Sequence, residues 1–193
     1  MKIVALVGSN AKFSYNRELL KFIQKHYVKI YSKTLYSNYE IKLAEIKNIP
    51  LFCEGLAEPD SVKNLANQIL DSDMVIIATS ENQHSVSSAL KSVIEWLSSV
   101  EHPFLNKPVM VIGVSSQHTG SARAQVRLKN VLASPGVGAI VYNGNEFMLG
   151  NASEKFDEDG NLDSATVEFL DKFWHQFMDF YQTINGRKLD NQC

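Results

Sequence analysis

Short apolar runs and longer amphipathic stretches take turns along this chain. After Lys2 the run to residue 7 is apolar and stops at Gly8, a length that suits a strand. Leu19, Leu20, Ile23, His26, Tyr27 and Ile30 then recur at i, i+3, i+4 spacing, which predicts a helix. Residues 40–46 alternate and read as a second strand, at or near a sheet edge. Val62, Leu65, Ala66, Ile69 and Leu70 mark a second helix, entered through Pro59-Asp60. Residues 74–78 and 109–114 are a third and fourth strand, and neither alternates, so both their faces should be covered, as in a parallel sheet. Between them Val86, Ala89, Leu90, Val93, Ile94 and Leu97 mark a third helix. A fourth helix over 123–133 stops at Ser134-Pro135-Gly136 and leads to a short fifth strand, 137–141. Residues 143–160 are polar and rich in Gly and Asn, and read as loop. Residues 167–181 form the last helix, and the residues after Asn185 read as a frayed tail.

Strands that alternate with helices predict a parallel sheet with helices on both faces. Five of each is the flavodoxin-like count: an α/β, doubly wound, five-stranded parallel sheet of order 2-1-3-4-5. The 193 residues suit one domain, since domains run to about 100–200 residues. Residues 1–185 are therefore expected to be a single flavodoxin-like domain, with 186–193 a flexible tail. Composition adds exclusions. A formal charge of −2 offers no global field for nucleic acid or an anionic membrane. No apolar run approaches the roughly 20 residues of a membrane span, and residues 3–7 are too short for a signal-peptide core, so the chain reads as cytoplasmic. Cys53 and Cys193 cannot form a disulfide framework and read as incidental thiols, and the five histidines make no zinc pattern.

In an open parallel sheet ligands bind beyond the carboxyl ends of the strands, near the switch in strand order. That selects the loops 8–14, 79–85 and 115–119, all rich in hydroxyls, amides or glycine. In the first, Gly8 permits a sharp turn and Ser14 is a good helix N-cap, and a helix N-terminus beside Ser, Asn and Lys is equally a capped helix or a phosphate seat. G-x-G-x-x-G, the Walker A pattern and a phosphatase cysteine are all absent. One glycine with several hydroxyls favours a mononucleotide, and FMN is a known ligand at this switch point.

Gly8-Ser9…Ser14-Tyr15-Asn16 resembles the G-S-x-R-x-x-S-x-N loop of the NADPH-dependent FMN reductase family. Ile49-Pro50-Leu51-Phe52 is similar to its L-P-L-[YF] segment, and Thr79-Ser80-Glu81-Asn82-Gln83-His84-Ser85 to its T-P-E-Y-N-x-S loop. Leu90-Lys91 with Ile94-Glu95-Trp96-Leu97 resembles the helix behind that loop. Phe104…Lys107-Pro108-Val109 and Ser115-Ser116…Gly120…Arg123-Ala124-Gln125 continue the match in register. The departures are Ala11 in place of the usual arginine, Ser80, Asn82 and Gln83 in place of Pro, Tyr and Asn, and His118 and Thr119 where glycines are common. Without that arginine a bidentate phosphate grip is lost, and Lys12 or Arg17 is left to supply charge.

The resemblance implies an FMN-dependent NAD(P)H oxidoreductase. Hydride would pass from NADPH or NADH to flavin N5 and on to a quinone, azo compound, free flavin or similar small-molecule acceptor, by a ping-pong mechanism. Ser9, Lys12, Ser14, Tyr15 and Asn16 would hold the FMN phosphate. Ser80, Glu81, Asn82, Gln83 and His84 would line the isoalloxazine, and Ser115, Ser116, Gln117 and His118 would face its pyrimidine edge. No catalytic acid–base side chain and no metal are expected, because the flavin carries the chemistry. A flavodoxin-type electron carrier and a cofactor-less partner-binding module of the same fold remain open, though a charge of −2 is not the marked acidity of an electrostatically docking carrier.

Other residues read plainly. Trp96 is expected in the core, Lys21, Lys25, Lys29 and Lys33 on a solvated helix face, and Arg123 at a surface or interface. On the last helix Phe169, Phe173 and Phe180 widen the stripe of Val167, Leu170, Trp174, Phe177 and Tyr181. So wide a face suggests a second contact surface and a homodimer, in which the resemblance would place Leu51-Phe52 beside the other subunit's flavin.

Overall fold

A computed structural model describes residues 1–31 and 39–186. In chain order the elements are β1 (Lys2–Gly8), α1 (Tyr15–Tyr31), β2 (Glu40–Glu45), α2 (Asp60–Leu70), β3 (Met74–Thr79), β4 (Glu81–Asn82) and β5 (Ser85–Val86). They continue as α3 (Ser88–Ser99), β6 (Pro108–Val114), α4 (Ala122–Leu132), β7 (Ile140–Val141), β8 (Phe147–Leu149), α5 (Ala152–Lys155) and α6 (Ser164–Ile184). The main sheet runs β2-β1-β3-β6 with β7 and β8 both on the outer side of β6, and every pairing in it is parallel. This is the flavodoxin-like order expected from the apolar pattern.

The unbroken apolar strands are explained by two cores. Ile3, Ala5 and Val7 of β1, Met74, Ile76 and Ala78 of β3, and Met110, Ile112 and Val114 of β6 point to one side. There they meet Leu19, Leu20, Ile23 and Tyr27 of α1 and Leu170, Phe173, Trp174 and Phe177 of α6. The alternate residues, among them Leu6, Val75, Ile77 and Val111, point to the other side and pack on α2, α3 and α4. Each middle strand is thus wetted on neither face.

The fifth strand differs from expectation. The pattern predicted it over 137–141, but β7 occupies only Ile140–Val141 beside Pro108 and Val109. The chain then bulges through Asn143-Gly144-Asn145 and returns as β8 beside Ile112, Gly113 and Val114. Residues 143–160, expected as loop, therefore hold β8, α5 and a bridge between Phe156 and Leu162. Only Phe147 and Leu149 of β8 are buried, too brief a signal for a period to appear. The hairpin β4–β5 was likewise hidden, because its turn residues, Gln83 and His84, have positive φ (49° and 60°) without being glycine. Val86, expected on the third helix, belongs to β5, and Ser87 caps α3 by accepting the Leu90 amide at 3.2 Å.

The breadth of the α6 stripe reflects depth. Asp163 caps the helix through the Thr166 amide (3.0 Å), and Phe173, Trp174, Phe177 and Met178 are all buried. Trp174 stacks on Tyr27 with ring centroids 3.9 Å apart, and the Tyr27 hydroxyl donates to Asp171 at 2.8 Å. Burial, then Asp171, push the Tyr27 phenol far above its ordinary range. Phe169 remains 44 % exposed. Ile30, expected on the buried face of α1, is exposed, and His26 is half-buried against Asp171 (3.3 Å). Trp96 is in the core as expected, and its Nε1 donates to Pro50 O at 2.9 Å. Lys21, Lys25 and Lys29 are exposed. Lys33, Cys193 and residues 187–193 of the expected tail lie outside the described residues. Among the described residues no helix is long and apolar enough to cross a membrane.

Gly113 lets β6 approach the turn into α4. A Cβ there would overlap Ser121 Oγ and lie 2.8 Å from the Thr79 carbonyl, which is backbone and cannot swing aside. Gly113→Ala is expected to cost about 1–3 kcal/mol by overpacking. A thermal scan should show Tm several degrees lower, and an unchanged Tm would refute the close approach.

Candidate functional site

Three loops leave the same edge of the sheet side by side. Gly8 at the end of β1 pairs with Thr79 at the end of β3, and Ala78 pairs with Ile112, so that β6 runs on to Val114. Asn16, in the first turn of α1, ties the first loop to the third. Its Nδ2 donates to Val114 O at 3.1 Å, and its Oδ1 accepts the Val114 amide at 3.0 Å. Both ends of this buried side chain are committed to backbone 98 residues away.

The first loop is built from hydroxyls. Ser9 and Ser14 are both buried. Ser9 Oγ accepts the Ala11 amide at 3.3 Å, and Ser14, the N-cap of α1, accepts the Arg17 amide on Oγ at 3.4 Å. A hydroxyl has one proton and two lone pairs, so each keeps its O–H as a donor. The first amides of α1, at Tyr15 and Asn16, have no partner within the helix and carry its positive dipole end. Lys12 is exposed on the same loop. Arg17, the other cation considered for this place, grips Glu45 through Nε (2.6 Å) and Nη2 (2.9 Å) and reaches the Ala11 carbonyl at 3.3 Å. Through its bonds to Glu45 and the Ala11 carbonyl Arg17 braces the loop, and the former hold the Glu45 carboxyl below its ordinary range. The Tyr15 ring is half-buried against the core and meets Phe13 and Phe156.

The second loop is the β4–β5 hairpin. Ser80 is half-buried, and Asn82, Gln83 and His84 are exposed at its tip. The Glu81 side chain, only 9 % exposed, turns away to α4. There it accepts Arg123 Nε at 2.6 Å and the Arg123 amide at 3.0 Å. Arg127 Nε adds a bond to His84 O at 3.2 Å. Arg123 lies at the surface as expected and staples the hairpin to α4, and Glu81 caps α4, whose own N-cap, Ser121, sits at φ 61° with no side-chain cap. Burial alone would raise the Glu81 carboxyl, but the Arg123 guanidinium and the Ala124 and Arg123 amides outweigh it and hold it below the usual 4.5.

In the third loop Ser115 Oγ accepts the Gln117 amide at 3.0 Å, and Ser116, Gln117 and His118 are exposed. The carbonyls of Ser115 and Gln117 accept the Ala152 and Asn151 amides at the start of α5. Buried Gln125 donates to Gly120 O (3.1 Å) and Phe147 O (3.0 Å), which fixes the turn into α4 against β8.

The structure therefore brings Ser9, Lys12 and Ser14, and the backbones of residues 15–16, 80–84 and 115–118, to one end of the sheet. It commits the side chains of Asn16, Glu81 and Arg17 to positioning. Sequence reasoning missed those roles and those of Arg123, Gln125 and Trp96, whose partners are distant in the chain. This donor set fits a phosphorylated ligand: two preset hydroxyls, two helix amides and a lysine. Hollows of about 720 Å³ between α4 and α6 and about 600 Å³ at the amino ends of β1 and β2 lie away from this end. Size does not place the site, since open parallel sheets bind ligands at the carboxyl ends. Among the described residues no cluster of His, Cys, Asp and Glu is arranged to hold a metal.

Comparison with known proteins agrees with this geometry. Residues 1–154 match the NADPH-dependent FMN reductase family. The chain is 39 % identical to NADH-dependent flavin reductase subunit 2 of Lactobacillus johnsonii, covering 94 % of this chain and 98 % of that one. It is 35 % identical to the NADH:(hydroxy)cinnamate reductase subunit CrdA of Vibrio ruber, covering 95 % and 89 %. Its structure is similar to FerB, a flavoenzyme NAD(P)H:(acceptor) oxidoreductase from Paracoccus denitrificans, with TM-score 0.78 at 28 % identity over 94 % of this chain and 97 % of that one.

Both clamps can be tested by substitution. Asn16→Ala strands the Val114 N–H and C=O, and should cost about 2–3 kcal/mol in urea unfolding. Asn16→Asp, which faces a carboxylate to the Val114 carbonyl, should be no better; near-native midpoints for both would remove the clamp. Glu81 titrates lower in the folded chain than its ordinary 4.5, so its stabilisation is present above that pH and is lost as pH falls through the folded value. The stability gap between wild type and Glu81→Gln should be widest near neutral pH and close in acid, and a pH-independent gap would refute it.

Proposed function

The chain belongs to the NADPH-dependent FMN reductase family, oxidoreductases that use FMN and NAD(P)H. From that premise we propose that reduced nicotinamide and an electron acceptor (a quinone, azo compound or free flavin) use one position in turn, by a ping-pong scheme. The observation that carries this reading is that three strand-end loops lie at the end of the sheet where α1 begins, with the Ser9 and Ser14 hydroxyls each accepting a loop amide and so left with an O–H to donate.

Ser9, Ser14, Lys12 and the amides of Tyr15 and Asn16 would hold the FMN phosphate. The backbones of Ser80, Glu81, Asn82, Gln83 and His84, and of Ser115, Ser116, Gln117 and His118, would line its ring. Bound there, FMN supplies the hydride chemistry, and the chain supplies orientation and electrostatics. Lys12 takes the place in charge of the family's arginine, as a point charge without a bidentate fork. The exposed thiol of Cys53 supports a reducing compartment such as the cytoplasm. Val126, Met148 and Phe169, exposed around the hollow between α4 and α6, support a contact with a second copy in a homodimer.

Purified protein should bind FMN, read by quenching of flavin fluorescence, and oxidise NADH or NADPH with parallel double-reciprocal lines when the acceptor is varied. Lys12→Ala with Ser14→Ala should weaken FMN by roughly 10–100-fold, the worth of hydrogen bonds to a charged group. Bound FMN without NAD(P)H oxidation would favour an electron carrier, and no FMN binding would overturn the reading. Light scattering should give the mass of two chains; one chain alone would refute the homodimer.

A further inference from the structure

A hollow of about 360 Å³ lies just outside the first loop, lined by Phe13, Tyr15 and Phe156 together with Glu18, Asp157, Glu158 and Asp159. Its aromatic side is continuous. Phe13 meets Tyr15 edge-on at 5.0 Å, and Tyr15 stacks on Phe156 at 5.9 Å. Phe13 is 65 % exposed, an apolar ring that the fold itself leaves uncovered. The other side is acidic. Asp157 accepts the amides of Asp159 (3.0 Å) and Asn161 (2.7 Å) and so builds the loop, which holds Glu158 and Asp159 out at the rim.

Most neighbouring cations are committed. Lys21 pairs with Glu18 at 3.0 Å and Arg17 is held by Glu45; the Asp157 carboxyl is held low first by Asn161 and only weakly by exposed Lys25, so four carboxylates outnumber the cations here. Lys12 belongs to the phosphate seat. The hollow thus offers ring faces and carboxylate acceptors and repels anions. A purine suits the rings, and the 2′,3′-diol of an unphosphorylated ribose suits the carboxylates, as an acidic residue takes the ribose 2′-OH in dinucleotide sites. A 2′-phosphate would meet like charge. The volume is at the small end of the range for ligand pockets, about 300–1,000 Å³, right for a nucleoside and too small for a dinucleotide. Because Phe13 and Tyr15 also belong to the first loop, a dinucleotide with its nicotinamide at the loop cluster can rest its other end here.

We propose that this hollow is the adenosine subsite of the reduced nicotinamide co-substrate, and that its carboxylates make the chain select NADH over NADPH. The proposal rests on the functional reading above and adds to it the discrimination between the two nucleotides.

The test compares NADH with reduced nicotinamide mononucleotide, which lacks the adenosine half, on FMN-loaded protein. Base stacking on an aromatic ring is worth about tenfold or more in binding, so the KM for the mononucleotide should exceed that for NADH by at least about tenfold. Phe13→Ala should shrink that ratio towards one. Glu158→Lys should raise the NADPH-to-NADH ratio of kcat/KM several-fold. Independently of turnover, adenosine should broaden in ligand-observed NMR with the wild type and not with Phe13→Ala. If FMN binds and NADH is oxidised, yet NADH and the mononucleotide share one KM, or Phe13→Ala leaves both the ratio and the adenosine signal unaltered, the subsite is wrong and the functional reading stands. If FMN does not bind, both fall together.

Discussion

Burial of the middle strands on both faces governs the rest of this structure. β1, β3 and β6 present apolar side chains to helices above and below, so no polar side chain can project from the sheet without losing its water. Polar function is confined to the strand ends. At the amino ends the connections carry the ordinary ion pair of Lys2 and Asp71 and the Lys107 ammonium over the end of α2. At the carboxyl ends they carry hydroxyls and loop amides. The strand order reverses between β1 and β3, the switch point at which open parallel sheets bind ligands.

What fills that end is held by bonds that do not themselves face a ligand. Asn16 ties α1 to β6, Arg17 with Glu45 braces the first loop, Glu81 with Arg123 anchors the hairpin, and Trp96 fixes Pro50. The ion pairs are partly exposed, and pairs of that kind contribute little net stability. Their consequence is geometric: they turn long charged side chains away from the seat and leave short hydroxyls and main-chain amides facing it. On the proposed reading, this is how the chain would manage with Ala11 in place of an arginine. In the proposed seat, hydroxyls and backbone amides would do the holding, and Lys12 would add the one cation.

The same division explains what the sequence reveals. The apolar runs of β1, β3 and β6 are legible because burial on both faces leaves no alternative period, and the α1, α2 and α3 stripes are legible for the opposite reason. From those come the strand order and the three loops. The roles inside the loops are not legible. Asn16 reads as a ligand because it sits beside serines at a helix start, while the group it serves, Val114, lies on another strand. Glu81 reads as a lining residue because its partner, Arg123, comes only after an intervening helix and strand. The turn at Gln83 and His84 lacks the glycine that announces such a hairpin, and the fifth strand is split by a bulge whose second half buries only two residues.

Those unannounced features bear on binding. Gln83, His84 and Ser121 each hold a left-handed backbone that costs a non-glycine residue about 1–2 kcal/mol. Such conformations persist only where the surroundings over-determine them. Here the surroundings can be named: Arg127 on the His84 carbonyl, Arg123 on Glu81, and Gln125 on the Gly120 carbonyl, all three from α4. One helix therefore fixes both the hairpin and the turn after the third loop. A ligand that meets loops already held in place loses less conformational freedom on binding than one that must order them. Rigid walls would also suit the shared position proposed for the two reactants, because neither would have to rebuild it for the other.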